Sequence, residues 1–343
     1  MLEDICKLAK KIGATDIHLY AGCPLFCRVN GDIVLNNTIM VAENDIKKII
    51  LDTSSMKARE ILGHTKHVTY ASDIEGVGRL RFAVFFDRGH FAIAIRFIRD
   101  RLMLLEELGI NESIKKVFVQ RTGLILVGSP AGEGKTTTIG SIIDYINTNF
   151  EKSIVTIENP VETVFKDKLS SIVQRSIPID TKNFFTGISE AGRIRPDIIV
   201  SDSLGYPDVF DEALSLCESG TTVIGGTGGG DCQQIIERTI NSRKPSERDL
   251  VRNKIAATLT MIISQRLVST PAGRRAIWDI VVNTPQLKNL IKTNNLSMFR
   301  NQQAQGLRMG MMTFDNQLND LVRQNLITKP AARELAIDKK KFV

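Results

Sequence analysis

Gly132-Glu133-Gly134-Lys135-Thr136-Thr137 stands between an apolar run, Leu124–Val127, and an amphipathic stretch, Thr136–Phe150, that carries Ile139, Ile142, Ile143 and Ile146 at helical spacing. Strand, glycine-rich turn and helix in this order make a phosphate cradle: glycines let backbone N–H groups close around oxygens, and the helix N-terminus adds partial positive charge. In such a loop Lys135 reaches the β- and γ-phosphates and Thr136 offers a hydroxyl to Mg²⁺. The expected nucleotide-binding set is therefore Ser129, Pro130, Ala131, Gly132, Glu133, Gly134, Lys135, Thr136 and Thr137, with ATP and Mg²⁺ as ligands. Two residues depart from the pattern. The motif's opening glycine is Ser129, which costs on the order of 1–2 kcal/mol if forced to positive φ. Glu133 puts a carboxylate into an anion-binding loop, where inward facing would repel a phosphate by roughly 4 kcal/mol at 4 Å and an effective dielectric of ~20. Glu133 is expected to face out.

Two further segments supply acids. Asp197–Asp202 is an apolar strand that ends in a carboxylate, the layout of a Walker B segment, so Asp202 is a candidate for the metal and for orienting the attacking water. Ile154–Val161 is a second strand ending in an acid, Glu158, followed by Asn159-Pro160. Parallel strands present their carboxyl ends to one crevice, so the two acids support each other.

The 343 residues make about two average domains of ~150 residues. With 43% apolar residues each can build a core, and no apolar run approaches the ~18–20 residues of a membrane span. The N-terminus lacks a basic segment followed by an apolar block, so the chain reads as cytoplasmic. Five scattered cysteines read as reduced thiols. The net charge of +7 is diffuse, and no Lys/Arg stripe interleaved with aromatics marks a nucleic-acid platform, so nucleic acid is not an expected partner.

Pattern and punctuation predict an α+β unit first: a helix from Leu2, strands at Asp16–Tyr20, Leu25–Val29 and Asp32–Leu35 with Asn30-Gly31 as a type I′ turn, a helix at Glu43–Ile50, and strands at Arg79–Phe86 and Phe91–Ile98. A helix at Leu104–Gln120 follows. Alternating buried strands and helices from Gly123 to Gly225 then imply a parallel sheet covered on both faces. Beyond Gly230 the reading is mostly helical: Glu247–Leu267 is the longest candidate, a strand pair lies near Arg275–Val282, and helices close the chain at Thr313–Gln324 and Pro330–Ile337.

These motifs occur among others in a fixed order. Ile12–Leu19, Arg28–Gly31, Gly76–Arg81, Leu105–Gly109, the phosphate loop, Thr156–Pro160, Arg195–Val200, Ile263–Leu267 and Met312–Asp315 together resemble the type IV pilus retraction ATPases of the secretion ATPase superfamily, over nearly the whole chain. The resemblance implies an α/β chain: a small α+β PAS-like N-terminal domain (1–98), a linker and helix (99–120), a RecA-like P-loop ATPase core (121–285) and a helical C-terminal region (286–343). It implies a homo-hexameric ring at an inner-membrane pilus platform protein, peripheral to the membrane, and a possible paralogous retraction ATPase beside it. It also implies that Arg81, Arg88 and Arg96 reach nucleotide phosphates, that Glu158 activates the attacking water and that Arg193 precedes the Walker B strand at the site.

The departures fall on the chemistry. Asp202 stands where the family has glutamate, Asn159 where it has a second acid, and Gln286-Leu287-Lys288 where it has Ala-Ile-Arg. The histidine box after Thr222–Gly225 reads Gly226-Thr227-Gly228-Gly229-Gly230, and all four histidines precede the phosphate loop. Two functions are expected: a retraction motor with reduced turnover, or a nucleotide-binding accessory subunit that supports an active paralogue.

Overall fold

The computed structural model describes residues 1–99, 101–120 and 122–343. Asp100, expected in the linker, and Arg121, the expected first residue of the core, lie outside the described residues. The chain forms two compact units, one of residues 1–101, 157–164 and 174–183, the other of 102–156, 165–173 and 184–343.

The first unit holds six strands, β1 (Ala14–Tyr20), β2 (Cys23–Val29), β3 (Asp32–Val41), β4 (His67–Ile74), β5 (Gly78–Asp87) and β6 (His90–Phe97), with helices α1 (Leu2–Lys11), α2 (Glu43–Thr53) and α3 (Met56–Thr65). The sheet order is β3-β2-β1-β6-β5-β4, antiparallel throughout. Alternation decides which face each residue takes. Ile17, Leu19, Leu80, Phe82, Ile93 and Ile95 share a core with Ile5, Ile46 and Ile50 of the helices. The intervening positions line the opposite face, where register puts Arg28, Asp16, Arg96 and Arg81 in one row across four strands. Two hairpins turn on paired positive φ: Asn30 (52°) with Gly31 (97°), and Arg88 (51°) with Gly89 (85°), the type I′ geometry that suits twisted strands. Strand β4 and helix α3 are not among the expected elements.

The second unit is a seven-stranded sheet ordered β13-β12-β7-β11-β10-β8-β9. The sheet's strands are β7 (Leu124–Ser129), β8 (Ser153–Glu158), β9 (Ser171–Ser176), β10 (Ile198–Ser201), β11 (Thr222–Gly228), β12 (Leu259–Thr270) and β13 (Gly273–Val282), with the last residues of β8, from Ile157, and of β9, from Gln174, counted in the first unit. The second unit's helices are α4 (Glu112–Gln120), α5 (Lys135–Asn149), α6 (Phe184–Ile194), α7 (Pro207–Glu218), α8 (Cys232–Asn241), α9 (Arg248–Thr258), α10 (Pro285–Lys292), α11 (Phe299–Gln305), α12 (Phe314–Arg323) and α13 (Lys329–Leu335). Strands β10, β11, β7 and β12 run parallel, and β13 returns antiparallel to β12. Their carboxyl ends meet at one edge, the place where open α/β sheets bind ligands.

Two expectations are corrected. Glu247–Leu267 is not one helix: α9 stops at Thr258 and the chain becomes β12 between β7 and β13, buried at every position from Leu259 to Gln265. A strand buried on both faces reads as a continuous apolar run, which periodicity cannot separate from a buried helix. The helix expected from Leu104 begins only at Glu112, after Gly109 at φ +79°, where the Asn111 side chain accepts the Ile114 N–H at 3.0 Å and fixes the start. The preceding segment is tied down by Trp278 of β13, 1% exposed, whose indole N–H donates to the Leu108 carbonyl at 2.8 Å.

Candidate functional site

The loop after β7 takes its path without strain at its unusual serine. Ser129 is the last residue of β7, buried, paired with Gly228 of β11 and outside the left-handed region, so the expected cost of positive φ does not arise. The turn is made instead by Gly132 (φ +77°) and Gly134 (φ +89°). Gly134 is the N-cap of α5 and brings no side chain to the helix N-terminus. The amide donors of the first turn are thus left to a ligand, and the macrodipole favours an anion there.

Lys135 opens α5 and runs beside Gly226, where an added Cβ would stand 3.3 Å from the lysine Cδ and would overlap the Asp202 carbonyl. Glycine at 226 is what lets the two close up. Burial pushes the Lys135 ammonium below the ordinary lysine pKa, and the charge of Asp202 pulls it back up. Thr136 is exposed on the first turn, so the lysine, the hydroxyl and Asp202 belong to one edge of the sheet.

The glycine run that replaces the histidine box serves packing. A Cβ on Gly229 would overlap the Ser129–Pro130 backbone, and one on Gly225, just before the run, would overlap Leu204. The Leu204 N–H donates to the Gly226 carbonyl at 2.6 Å, fixing the turn after Asp202. Arg238 of α8 donates to the carbonyls of Gly228 and Gly229, the latter at 3.1 Å. Beside this turn opens a cavity of about 330 Å³ lined by Leu204, Tyr206, Phe210, Thr227, Arg238 and Arg243.

Glu133 does not lie loose. Its carboxylate accepts the Leu267 N–H and pairs with Arg274 at 3.2 Å, and its backbone carbonyl accepts from Gln265. Arg193 lies exposed in the last turn of α6. The first unit holds the rest of the expected residues. Arg81 pairs with Glu162 at 2.9 Å and Arg96 with Asp16 at 2.7 Å, while Arg88 sits at the β5–β6 turn with its side chain 91% exposed. Glu158 ends β8, 7% exposed, and accepts from Gln174 at 3.0 Å. Gln265, Arg274, Arg238, Asp16 and Glu162 were not singled out from sequence. Of these, Gln265 and Asp16 carried a signal, lying inside the ordered segments Ile263–Leu267 and Ile12–Leu19.

A family model described as Type II/IV secretion system protein matches residues 89–328. The chain belongs to that family. Its likeness to individual members extends beyond the matched span. It is 31% identical over 336 residues to the Type IV pilus retractation ATPase PilT of Pseudomonas aeruginosa, covering 98% of both chains. It is 26% identical over 328 residues to the Type IV pilus ATPase PilU of the same organism, covering 95% of this chain and 86% of the other. The crystal structure of the pilus retraction motor PilT with bound ADP superposes with a TM-score of 0.87 at 34% identity, covering 99% and 98%. This secretion ATPase therefore has the fold of a retraction motor from end to end, and nucleotide use comes with its family. Among the described residues no helix is long and apolar enough to cross a membrane.

Proposed function

We propose that this secretion ATPase hydrolyses ATP at the loop before α5 and drives retraction of a type IV pilus as a homo-hexameric ring. The supporting observation is the closure of Lys135 and Asp202 across the side-chain-free Gly226, directly at the uncapped N-terminus of α5. Lys135 takes the β- and γ-phosphates, the first-turn amides take the remaining oxygens, and the Thr136 hydroxyl with the Asp202 carboxylate are the oxygen donors suited to Mg²⁺. When bound, that cation neutralises charge on the β/γ oxygens. Glu158 orients water, and Arg81, Arg88, Arg96 and Arg193 supply positive charge for the transferring phosphoryl group. The ring works on the cytoplasmic side of the inner membrane against a platform protein of the pilus machinery. Phosphate release by the full-length chain compared with Lys135→Ala tests the reading: background-level release by both removes it.

A second reading follows from the residues at the chemistry. Asp202 has the shorter acid arm, Asn159 is uncharged and no histidine follows β11. On that reading the chain binds nucleotide and supports an active paralogue. ATP binding without turnover, together with rescue of turnover in mixed rings, would select it.

A further inference from the structure

Glu133 is a negative charge in the middle of a loop that holds anions, and the fold holds this residue at three points, two on the carboxylate and one on the backbone carbonyl. The Leu267 N–H and the Arg274 guanidinium hold the two carboxylate oxygens, the latter at 3.2 Å. The Gln265 side chain donates to the Glu133 carbonyl and accepts from the Thr138 hydroxyl of α5, so one amide bridges the loop and the helix behind it. Gln265 is 2% exposed, and a Cβ on Gly134 would stand 2.5 Å from its Nε2, so the amide is pressed against the loop at its left-handed glycine. The three residues that hold Glu133 itself, Gln265, Leu267 and Arg274, belong to β12 and β13, the hairpin beside β7.

We propose that Glu133, Gln265 and Arg274 form a latch in which the β12–β13 hairpin sets the shape of the phosphate loop and keeps its carboxylate turned away from the nucleotide. They are positioning residues, and the proposal rests on the loop binding ATP. Gln265 holds the main chain, so the first-turn amides start out converged. Arg274 and the Leu267 amide hold the charge. Released, the carboxylate swings freely on a loop whose purpose is to bind phosphates, and like-charge repulsion works against the ligand. The ion pair is half open to water, the Arg274 side chain being 55% exposed and that of Glu133 23%. It therefore adds little to folding stability, and its effect is read in ligand binding.

The test is a double-mutant cycle on the full chain, titrated with Mg-ATP and followed by steady-state turnover. Arg274→Ala, a surface change, raises Kd and KM for ATP about tenfold with kcat held within about twofold, because only the approach of the anion is altered. Glu133→Ser sets a new baseline, and adding Arg274→Ala to it shifts Kd by less than about twofold, since the charge to be restrained is gone. Glu133→Gln, which keeps an acceptor for the Leu267 amide, likewise makes Arg274→Ala silent. Equal losses from Arg274→Ala in all backgrounds, or no loss in any, overturn the latch. A native chain that takes up no Mg-ATP overturns the parent reading and the latch together, and is told apart by the native titration alone.

Discussion

Arg96 stands directly across from Arg81 in the β5–β6 ladder, on the sheet face opposite the core of the first unit. Two like charges so placed repel, and each is offset by its own carboxylate, Asp16 at 2.7 Å for Arg96 and Glu162 at 2.9 Å for Arg81. The arginines are thus held as a fixed pair without contributing to a core. Neither residue fills the interior, so their substitution separates chemistry from folding.

Arg96→Gln is accordingly expected to lower kcat for ATP by about 100-fold, the scale of losing one fixed donor to a developing charge. The urea midpoint should move by less than the equivalent of about 1 kcal/mol, as befits a partly exposed ion pair. A kcat within about threefold of the native value would take Arg96 out of the chemistry.

Asp202→Glu lengthens the acid by one methylene and should raise kcat by at least about tenfold, since misplacement by ~1 Å costs up to ~100-fold. Phosphate release at saturating ATP measures it. A slower Asp202→Glu enzyme would mean that the turn fixed by Leu204 and Gly226 is already matched to aspartate.

Gly229→Ala should cost about 1–3 kcal/mol in the urea midpoint and weaken ATP binding, because the new methyl group falls on the Ser129–Pro130 backbone and has no flexible neighbour to displace. Gly132→Ala, whose Cβ would enter open space, carries only the strain of φ +77°, on the order of 1–2 kcal/mol, and serves as the comparison. An ATP affinity untouched by Gly229→Ala would detach the glycine run from the loop's shape.

The same glycines show where sequence reading stopped. The Gly–Lys–Thr loop, its strand and its helix could be read because each obeys a local rule, and the ordered motifs extended that reading to the family. The run Gly226–Gly230 reads as a loss, a missing histidine, although its physical content includes close approaches of Gly226 to Asp202 and of Gly229 to Pro130 that no local pattern records. Ser129 likewise read as strained because the motif assigns a glycine there, yet here it closes a strand. Arg81 and Arg96 were visible as residues, but their carboxylate partners lie 81 and 80 positions away, Asp16 brought to Arg96 by strand register and Glu162 brought to Arg81 from a segment outside any strand. The chain's buried strand β12 failed for a different reason, since an apolar run flanked on both sides has no amphipathic period to read.

Asp279 of β13 is 2% exposed and accepts from the Cys232 N–H at 2.8 Å and from Gln303 at 2.7 Å. Burial nevertheless pushes its carboxyl up to about 6. An acid whose folded pKa is raised is favoured neutral in the fold, so its contribution to stability is greatest below the unfolded pKa and is lost as pH rises through about 6. Urea midpoints of the native chain should fall between pH 4 and pH 7 by on the order of 3 kcal/mol from this group. Asp279→Asn should flatten that slope, and an unchanged slope would assign it to other groups.

Trp278 is the chain's single tryptophan, and its indole N–H is bonded to the Leu108 carbonyl inside the second unit. Its fluorescence therefore comes from one place: the joint between β13 and the segment that leads into α4. β13 is also the strand that bears Arg274. A shift in emission on adding nucleotide would report, without any attached dye, that binding at the loop is felt along that strand.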